Sequence, residues 1–242
     1  MKRALLCFLG VAILGWGQLS GQNVLAKWTF QTGSPGGFGS PGTTPTPSGG
    51  FLTANEGSGT ATALHASNSS LWFVADGNGS TAGFAATTWS VGDYFQFSTS
   101  STGFSGINVR WDQISSADGP RDFTFSYSLD GSSFTVLNSF ATSDSPNWNS
   151  STAQSGTATN FSVDLSAVSA VANSGTVYFR LTSSSTTSVA GGAIGGFGYT
   201  ALDNFTISGA AIPESATFTL WMALLSVAGI MGWRRLRVTS LR

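Results

Sequence analysis

Cysteine, histidine and charge are all scarce in this chain, and each scarcity closes off a class of chemistry. Among 242 residues there is one cysteine, Cys7, and one histidine, His65. Cys7 falls within an apolar N-terminal run, so the remainder has neither a disulfide nor a thiolate metal site. It is not read as a lipoprotein acceptor, because the hydrophobic stretch follows Ala4-Leu5-Leu6-Cys7 instead of preceding it. A zinc centre or a Ser-His-Asp triad would depend on His65 alone, and no Gly-x-Ser-x-Gly elbow accompanies it. Charged residues make up 9 % of the chain, against roughly 25 % in typical soluble domains. They are also segregated: six of the ten basic residues lie at the two ends. The body from about 24 to 211 keeps four, Lys27, Arg110, Arg121 and Arg180, against ten acidic ones. Phosphate neutralisation needs a basic patch, so nucleic acid is not an expected partner.

Gly, Ser, Thr and aromatic residues fill the space that charge leaves. Abundant aromatics argue against disorder, and their spacing argues for strands. Phe95 and Phe97, then Ile107, Val109 and Trp111, then Phe123, Phe125 and Tyr127 alternate with polar residues. Phe161, Val163 and Leu165, Val177, Phe179 and Leu181, and finally Phe205 and Ile207 do the same. Val24 to Phe30 reads as the first strand. Asp130-Gly131 supplies the positive φ of a tight hairpin turn. Ser34 to Gly50 and Ser183 to Gly198 are rich in turn formers and read as surface loops. Helical spacing is confined to the termini. The expected fold class is all-β, an antiparallel two-sheet sandwich.

The two ends read as addresses. Lys2 and Arg3 precede the apolar run Ala4 to Trp16, the pattern of a signal peptide over residues 1–22. The sandwich occupies 23–210. Residues 211–242 hold Ile212-Pro213-Glu214-Ser215, an uncharged segment at about 216–233 long enough to cross a bilayer core, and a basic cluster of Arg234, Arg235 and Arg237. This three-part tail resembles the PEP-CTERM sorting signal of bacterial exosortase substrates. Pro213 and Glu214 match the motif, and Ser215 stands where the family has a second proline. The resemblance implies membrane retention through the C-terminal helix, recognition by an exosortase, and delivery to the cell surface or to a matrix of exopolysaccharide.

The body carries its own resemblance. Tyr127-Ser128-Leu129-Asp130-Gly131-Ser132, the early Trp28-Thr29-Phe30 and the late Leu202-Asp203-Asn204-Phe205 resemble jelly rolls of the galactose-binding-like kind. Asp203 shares strand phase with Phe205 and Ile207, so its carboxylate is expected to face inward, where it needs a partner. Three partners fit: a calcium ion, Arg121 in core phase with Phe123, or backbone amides at the strand end. The jelly-roll resemblance implies a structural calcium at Asp203.

Other signals are weak. Gly37-Phe38-Gly39-Ser40-Pro41-Gly42 matches Gly-x-Gly-x-x-Gly but leads into prolines and not into a helix. Asp76-Gly77-Asn78-Gly79-Ser80 starts like a calcium loop but has Thr87 at the twelfth place, so it reads as a surface turn. His65 reads as a partly exposed strand residue. Asp112, Asp118, Asp122 and Asp130 are the carboxylates from which a glycosidase pair would be drawn, but turns and solvation account for each. No catalytic residues are assigned. Trp72, Trp89 and Trp148 are candidates for stacking on sugar rings. The expected function is a non-catalytic surface or matrix protein whose sandwich serves adhesion or carbohydrate contact. Its alternatives are a matrix spacer without a ligand and a secreted polysaccharide-active enzyme.

Overall fold

The computed structural model describes residues 21–36, 40–144 and 147–213. The expected signal helix, the expected span at 216–233, and Glu214, Ser215, Arg234, Arg235 and Arg237 lie outside the described residues; Pro213 lies within them. Among the described residues no helix is long and apolar enough to cross a membrane.

The strands are β1 (Asn23–Trp28), β2 (Ser40–Pro41), β3 (Glu56–Gly57), β4 (Gly59–Leu64), β5 (Leu71–Ala75), β6 (Gly83–Ala86) and β7 (Tyr94–Thr99), followed by β8 (Phe104–Ser115), β9 (Asp122–Ser128), β10 (Thr135–Ala141), β11 (Asn160–Asp164), β12 (Val177–Ser183) and β13 (Thr200–Ala211). A single 3-10 turn, Ser169–Val171, is the only helical element among the described residues. One sheet runs β11-β8-β13-β6-β5-β2, with β1 also on β13 and β3 on β1; the other runs β10-β9-β12-β7-β4. The alternation read from the sequence places one side of each strand in the core between the sheets. Phe95, Phe97, Phe123, Phe125, Phe179 and Leu181 of the smaller sheet and Trp28, Ile107, Val109, Trp111, Phe205 and Ile207 of the larger are buried there. The faces meet ring to ring: Phe97 stacks on Phe205 at 3.6 Å between centroids, and Trp111 on Phe125 at 5.4 Å. A fully buried ring of this kind contributes about 2–3 kcal/mol.

The β9–β10 hairpin forms where Asp130-Gly131 predicts it, with Gly131 at φ +73°. Its loop spans residues 129–134 and is not the tight two-residue turn expected. The reason lies in Asp130, whose Oδ1 accepts the backbone N–H groups of Ser132 and Ser133 at 2.8 Å each. These bonds widen the turn and draw the carboxyl down to about 2.

Strand β13 organises the larger sheet. β8 pairs along one edge; on the other edge β6 pairs with Thr200–Leu202 and β1 with Phe205–Gly209. At the handover the register slips between Asp203 and Thr206, and Asn204 takes φ +52°. Leu202 and Phe205, three positions apart, both reach the core, which is the mark of an inserted residue. The bulge therefore changes the phase of Asp203.

Candidate functional site

Because of that bulge, Asp203 does not point into the core with Phe205, as its spacing predicts. It pairs across the sheet with Asp112, and cross-strand partners share a face. Both carboxylates thus belong to the outer face of the larger sheet. Asp203 is nevertheless fully buried, because the turn at residues 76–82 folds over it. Its Oδ2 accepts the backbone N–H of Asn78 at 2.9 Å and the Ser80 hydroxyl at 2.8 Å, and its Oδ1 accepts the N–H of Asn204 at 2.7 Å. Gly77 is required under this lid, since a Cβ there would lie 2.6 Å from Asp203 Oδ2. Burial lifts the carboxyl to about 6; the three hydrogen bonds hold it down in part, and the neighbouring Asp112 raises it further. The Asp76–Ser80 segment, read from the sequence as a plain surface turn, is therefore the cover of this site.

The partners expected of Asp203 divide. The amide partners are present. Arg121 is not among them: its guanidinium grips Asp122 at 2.9 and 3.1 Å, half-exposed and away from the core phase expected of it. Nor do the residues fit a calcium ion. The oxygens that surround the end of β1 converge on the Gln31 side-chain amide, whose Nε2 donates to Thr29 O at 2.6 Å and Ala82 O at 2.9 Å and lies 3.1 Å from Ser80 Oγ. Thr81 donates to Gln31 Oε1 at 2.8 Å, which fixes that amide the right way round. Calcium asks for six to eight oxygens free to ligate; here those oxygens already accept from N–H or O–H donors. No group of three or more His, Cys, Asp or Glu side chains gathers among the described residues.

Beside this buried junction lies a cleft of about 510 Å³ on the outer face of the larger sheet. Its floor is built by register. Glu56 of β3, Lys27 of β1, Thr206 of β13 and Arg110 of β8 pair in one cross-strand row, with Ser162 of β11 continuing it. One step along, Asp112 pairs with Asn160. Asn78 and Asn204 donate their side-chain amides to Asp112 Oδ2 at 3.0 and 2.8 Å, and Asn160 donates to Oδ1. Asn78 also exchanges hydrogen bonds with the backbone of Gln154, which forms the far wall with Ala153 and Ser155. The result is a concave surface of amides, hydroxyls and both signs of charge. Sequence reading took Asp112 as a solvated carboxylate and missed Lys27, Asn78, Arg110, Gln154, Asn160 and Asn204. Strand pairing unites Lys27, Arg110, Asn160 and Asn204, and hydrogen bonds bring in Asn78 and Gln154; no local motif marks either.

The carboxylates considered for catalysis are not brought together. Asp118 is exposed in a turn, Asp122 is held by Arg121 and the Ser185 hydroxyl, and Asp130 caps its hairpin. Asp112 and Asp203 do adjoin, but Asp203 has no solvent exposure and both of its oxygens are occupied.

The tryptophans proposed for sugar stacking are buried. Trp72 and Trp89 are 1 % and 5 % exposed, and their indole N–H groups donate to Gly42 O and Ala86 O. Both pack on His65, at 4.5 and 4.2 Å between ring centroids. His65 is thus enclosed and not partly exposed as its position in the sequence suggests. Burial drives it down to about 3, and its Nδ1 lies 2.8 Å from Ser70 Oγ. Trp148 is 6 % exposed and lines a second, smaller groove with Phe73, Asp76 and Tyr199; its indole N–H has no partner among the described residues. The ring most open to solvent among the described residues is Phe197, 84 % exposed. It lies in the segment 183–198, which the sequence marks only as a loop of small residues.

No protein-family model matches the chain, and no curated protein matches it. Solved structures resemble it only distantly. A cleaved adhesin domain of Lys-gingipain from Porphyromonas gingivalis is 16 % identical, covering 60 % of this chain and 84 % of that one with a TM-score of 0.36. TmCBM61, solved with β-1,4-galactotriose, is 8 % identical over 62 % of this chain and 86 % of its own, also at 0.36. CBM35 from Cellvibrio japonicus Abf62 is 13 % identical over 80 % and 100 %, at 0.30. Likenesses this distant settle neither ligand nor chemistry for this chain.

Proposed function

We propose that this chain is an exported, non-catalytic protein of the cell surface or extracellular matrix, whose jelly-roll sandwich contacts polysaccharide through the cleft over β1, β13, β8 and β11. The observation that carries the sandwich half of this reading is the cleft. It is open, and it presents amides and charged groups of the kind that hydrogen-bond sugar hydroxyls. A few convergent polar groups in a concave surface are a usual mark of a binding site. The export half rests on the sequence: the apolar leader over 1–22, the Pro213-Glu214-Ser215 motif, the uncharged segment at about 216–233 and Arg234, Arg235 and Arg237. In this reading an exosortase processes the tail after the C-terminal helix has held the protein in the membrane.

A glycan array probed with the full chain in detergent micelles tests the first half. Binding that falls at least tenfold in Asn160→Ala or Asn204→Ala supports the cleft. Absence of binding to any glycan leaves a matrix spacer, and turnover of a bound polysaccharide makes the protein an enzyme. Coexpression with an exosortase tests the second half. A mass decrease that is lost in Glu214→Ala is expected, and an unchanged mass in the parent chain would reduce the tail to an anchor.

A further inference from the structure

The cleft holds the only two uncommitted cations of the described body. Arg121 is paired with Asp122, and Arg180 is sandwiched between the Tyr94 and Phe134 rings at 3.9 and 3.7 Å while its Nε donates to Gln96 at 2.7 Å. The side chains of Lys27 and Arg110 have neither a salt bridge nor a hydrogen-bond partner among the described residues, although acidic residues outnumber basic ones in the body. Their register is telling. Both pair with Thr206, one from each side, so two side chains of like charge flank a hydroxyl at roughly 10 Å between their Cα atoms, twice the strand spacing.

The carboxylates nearest them form no ion pair with either cation. Asp112 accepts the side-chain amides of Asn78, Asn160 and Asn204 and forms no ion pair with either cation within 4 Å. Asp203 is buried beneath the Asn78–Ser80 lid. Glu56 adjoins Lys27 across the strand pair, at the outer end of the row and on the side away from Arg110, and forms no ion pair with it within 4 Å. Asp164, the diagonal neighbour of Arg110 across the β8–β11 pair, accepts the backbone N–H of Ser166 and forms no ion pair with Arg110 within 4 Å.

We infer that the cleft takes an anionic polysaccharide, with a carboxylate or sulfate of one sugar unit held between Lys27 and Arg110 over Thr206, and neighbouring hydroxyls hydrogen-bonded along the Asn204–Asp112–Asn160 row. The inference rests on the carbohydrate reading of the cleft and specifies its ligand class. Lys27 would supply a point charge, while the planar fork of Arg110 suits a two-pronged contact with an oxyanion. The amides and Asp112 beside them, already ordered by one another, cost little entropy to engage.

Titration calorimetry of the full chain in detergent micelles tests this with four probes: a mannuronate hexamer, a dextran sulfate oligosaccharide, a neutral dextran hexamer and a single-stranded oligodeoxynucleotide. The expected result is binding of an anionic glycan that weakens with salt, and that weakens about three- to tenfold in each of Lys27→Gln and Arg110→Gln and further in the double variant. Arg121→Gln, outside the cleft, should bind as the parent does. Glu56→Gln should bind two- to threefold more tightly, a gain that a folding defect cannot mimic. Response to the uronate or to the sulfate alone identifies the anion and supports the inference. Equal binding of the neutral hexamer, insensitive to both cation variants, overturns it while leaving the carbohydrate reading in place. Equal binding of the oligonucleotide also overturns it, and no binding of any glycan overturns both.

Discussion

His65 and Asp203 are both ionisable and both shielded from water, yet their surroundings are built from opposite materials. His65 lies between the indoles of Trp72 and Trp89, with Ser70 as its close polar neighbour and Asp93 Oδ2 at 3.7 Å. Its Nε2 is buried without a hydrogen-bond partner. Asp203 lies under a lid of backbone amides and hydroxyls, every one of them a donor. Burial in the aromatic box outweighs what the Thr87 backbone offers a protonated imidazole, so His65 stays neutral down to about 3. The amide lid favours a carboxylate, but burial outweighs it and Asp203 rises to about 6. One region excludes charge by packing, and the other tolerates it by hydrogen bonding.

The largest effect should come from emptying the box. Trp72→Ala removes a fully buried indole from the contact between His65 and Phe84 and should cost about 3–5 kcal/mol in denaturant unfolding. Loss below about 1 kcal/mol would show that the box collapses around the gap and that shape does not hold His65 neutral. The change should also admit water, so that His65 titrates closer to its ordinary value.

Acid should then separate the two regions by sign. His65 binds its proton more readily in the unfolded chain, whose value is 6.5, than in the fold at about 3. Its contribution is fully present above 6.5 and is lost as pH falls toward 3, by roughly 3–5 kcal/mol in all. Asp203 runs the other way. Its folded value near 6 exceeds the ordinary 3.8, so the fold holds that proton more tightly, and stability is lost as pH rises through 6, by roughly 2–3 kcal/mol. Between pH 4 and 6 the two slopes oppose. His65→Gln should leave a stability that declines as pH rises over that interval, and Asp203→Asn one that increases. Asp93, which faces His65 and is itself raised by burial, adds to the Asp203 side. Asp130, Asp122 and Asp164, all lowered by hydrogen bonds, lose their contributions only below about 4. Two variants with the same slope as the parent would break the contrast.

The two regions also differ in how far the sequence discloses them. Alternation of apolar and polar residues identifies nearly every long strand, because burial of one face imposes a period of two on Phe95 and Phe97 or Val177, Phe179 and Leu181 alike. It cannot show that Trp72 and Trp89, well separated in the chain, close on His65. That contact depends on how β5 and the loop after β6 come to lie against the end of β4. Asp203 is misplaced for a different reason. A bulge inserts one residue without a compositional mark, and from that point the period predicts the wrong face. The cleft escapes for a third reason: Lys27, Thr206 and Arg110 are neighbours only through antiparallel pairing of strands far apart in sequence. Local pattern reveals which residues lie in strands, while register, which sets the site, is a property of the assembled sheet.

The smallest expected effect tests whether hydrogen bonding suffices where the jelly-roll resemblance implies a metal. With Gln31 Nε2 donating to Thr29 O and Ala82 O, and with Asp203 occupied by Asn78, Ser80 and Asn204, the junction of β1, β6 and β13 is closed without a cation. The melting temperature of the full chain should therefore move by no more than about 1 °C between a chelator and millimolar calcium, since a ligand stabilises only the state that binds it. Gln31→Glu sharpens the point. It puts a second carboxylate beside Ser80 and Asp203 and removes the donor on which those carbonyls converge, so the variant should melt lower in chelator and recover with calcium. A parent protein that already loses several degrees in chelator would mean that a cation, and not the Gln31 amide, holds this end of the sheet together, and Asp203 would then belong with the metal ligands that its position first suggested.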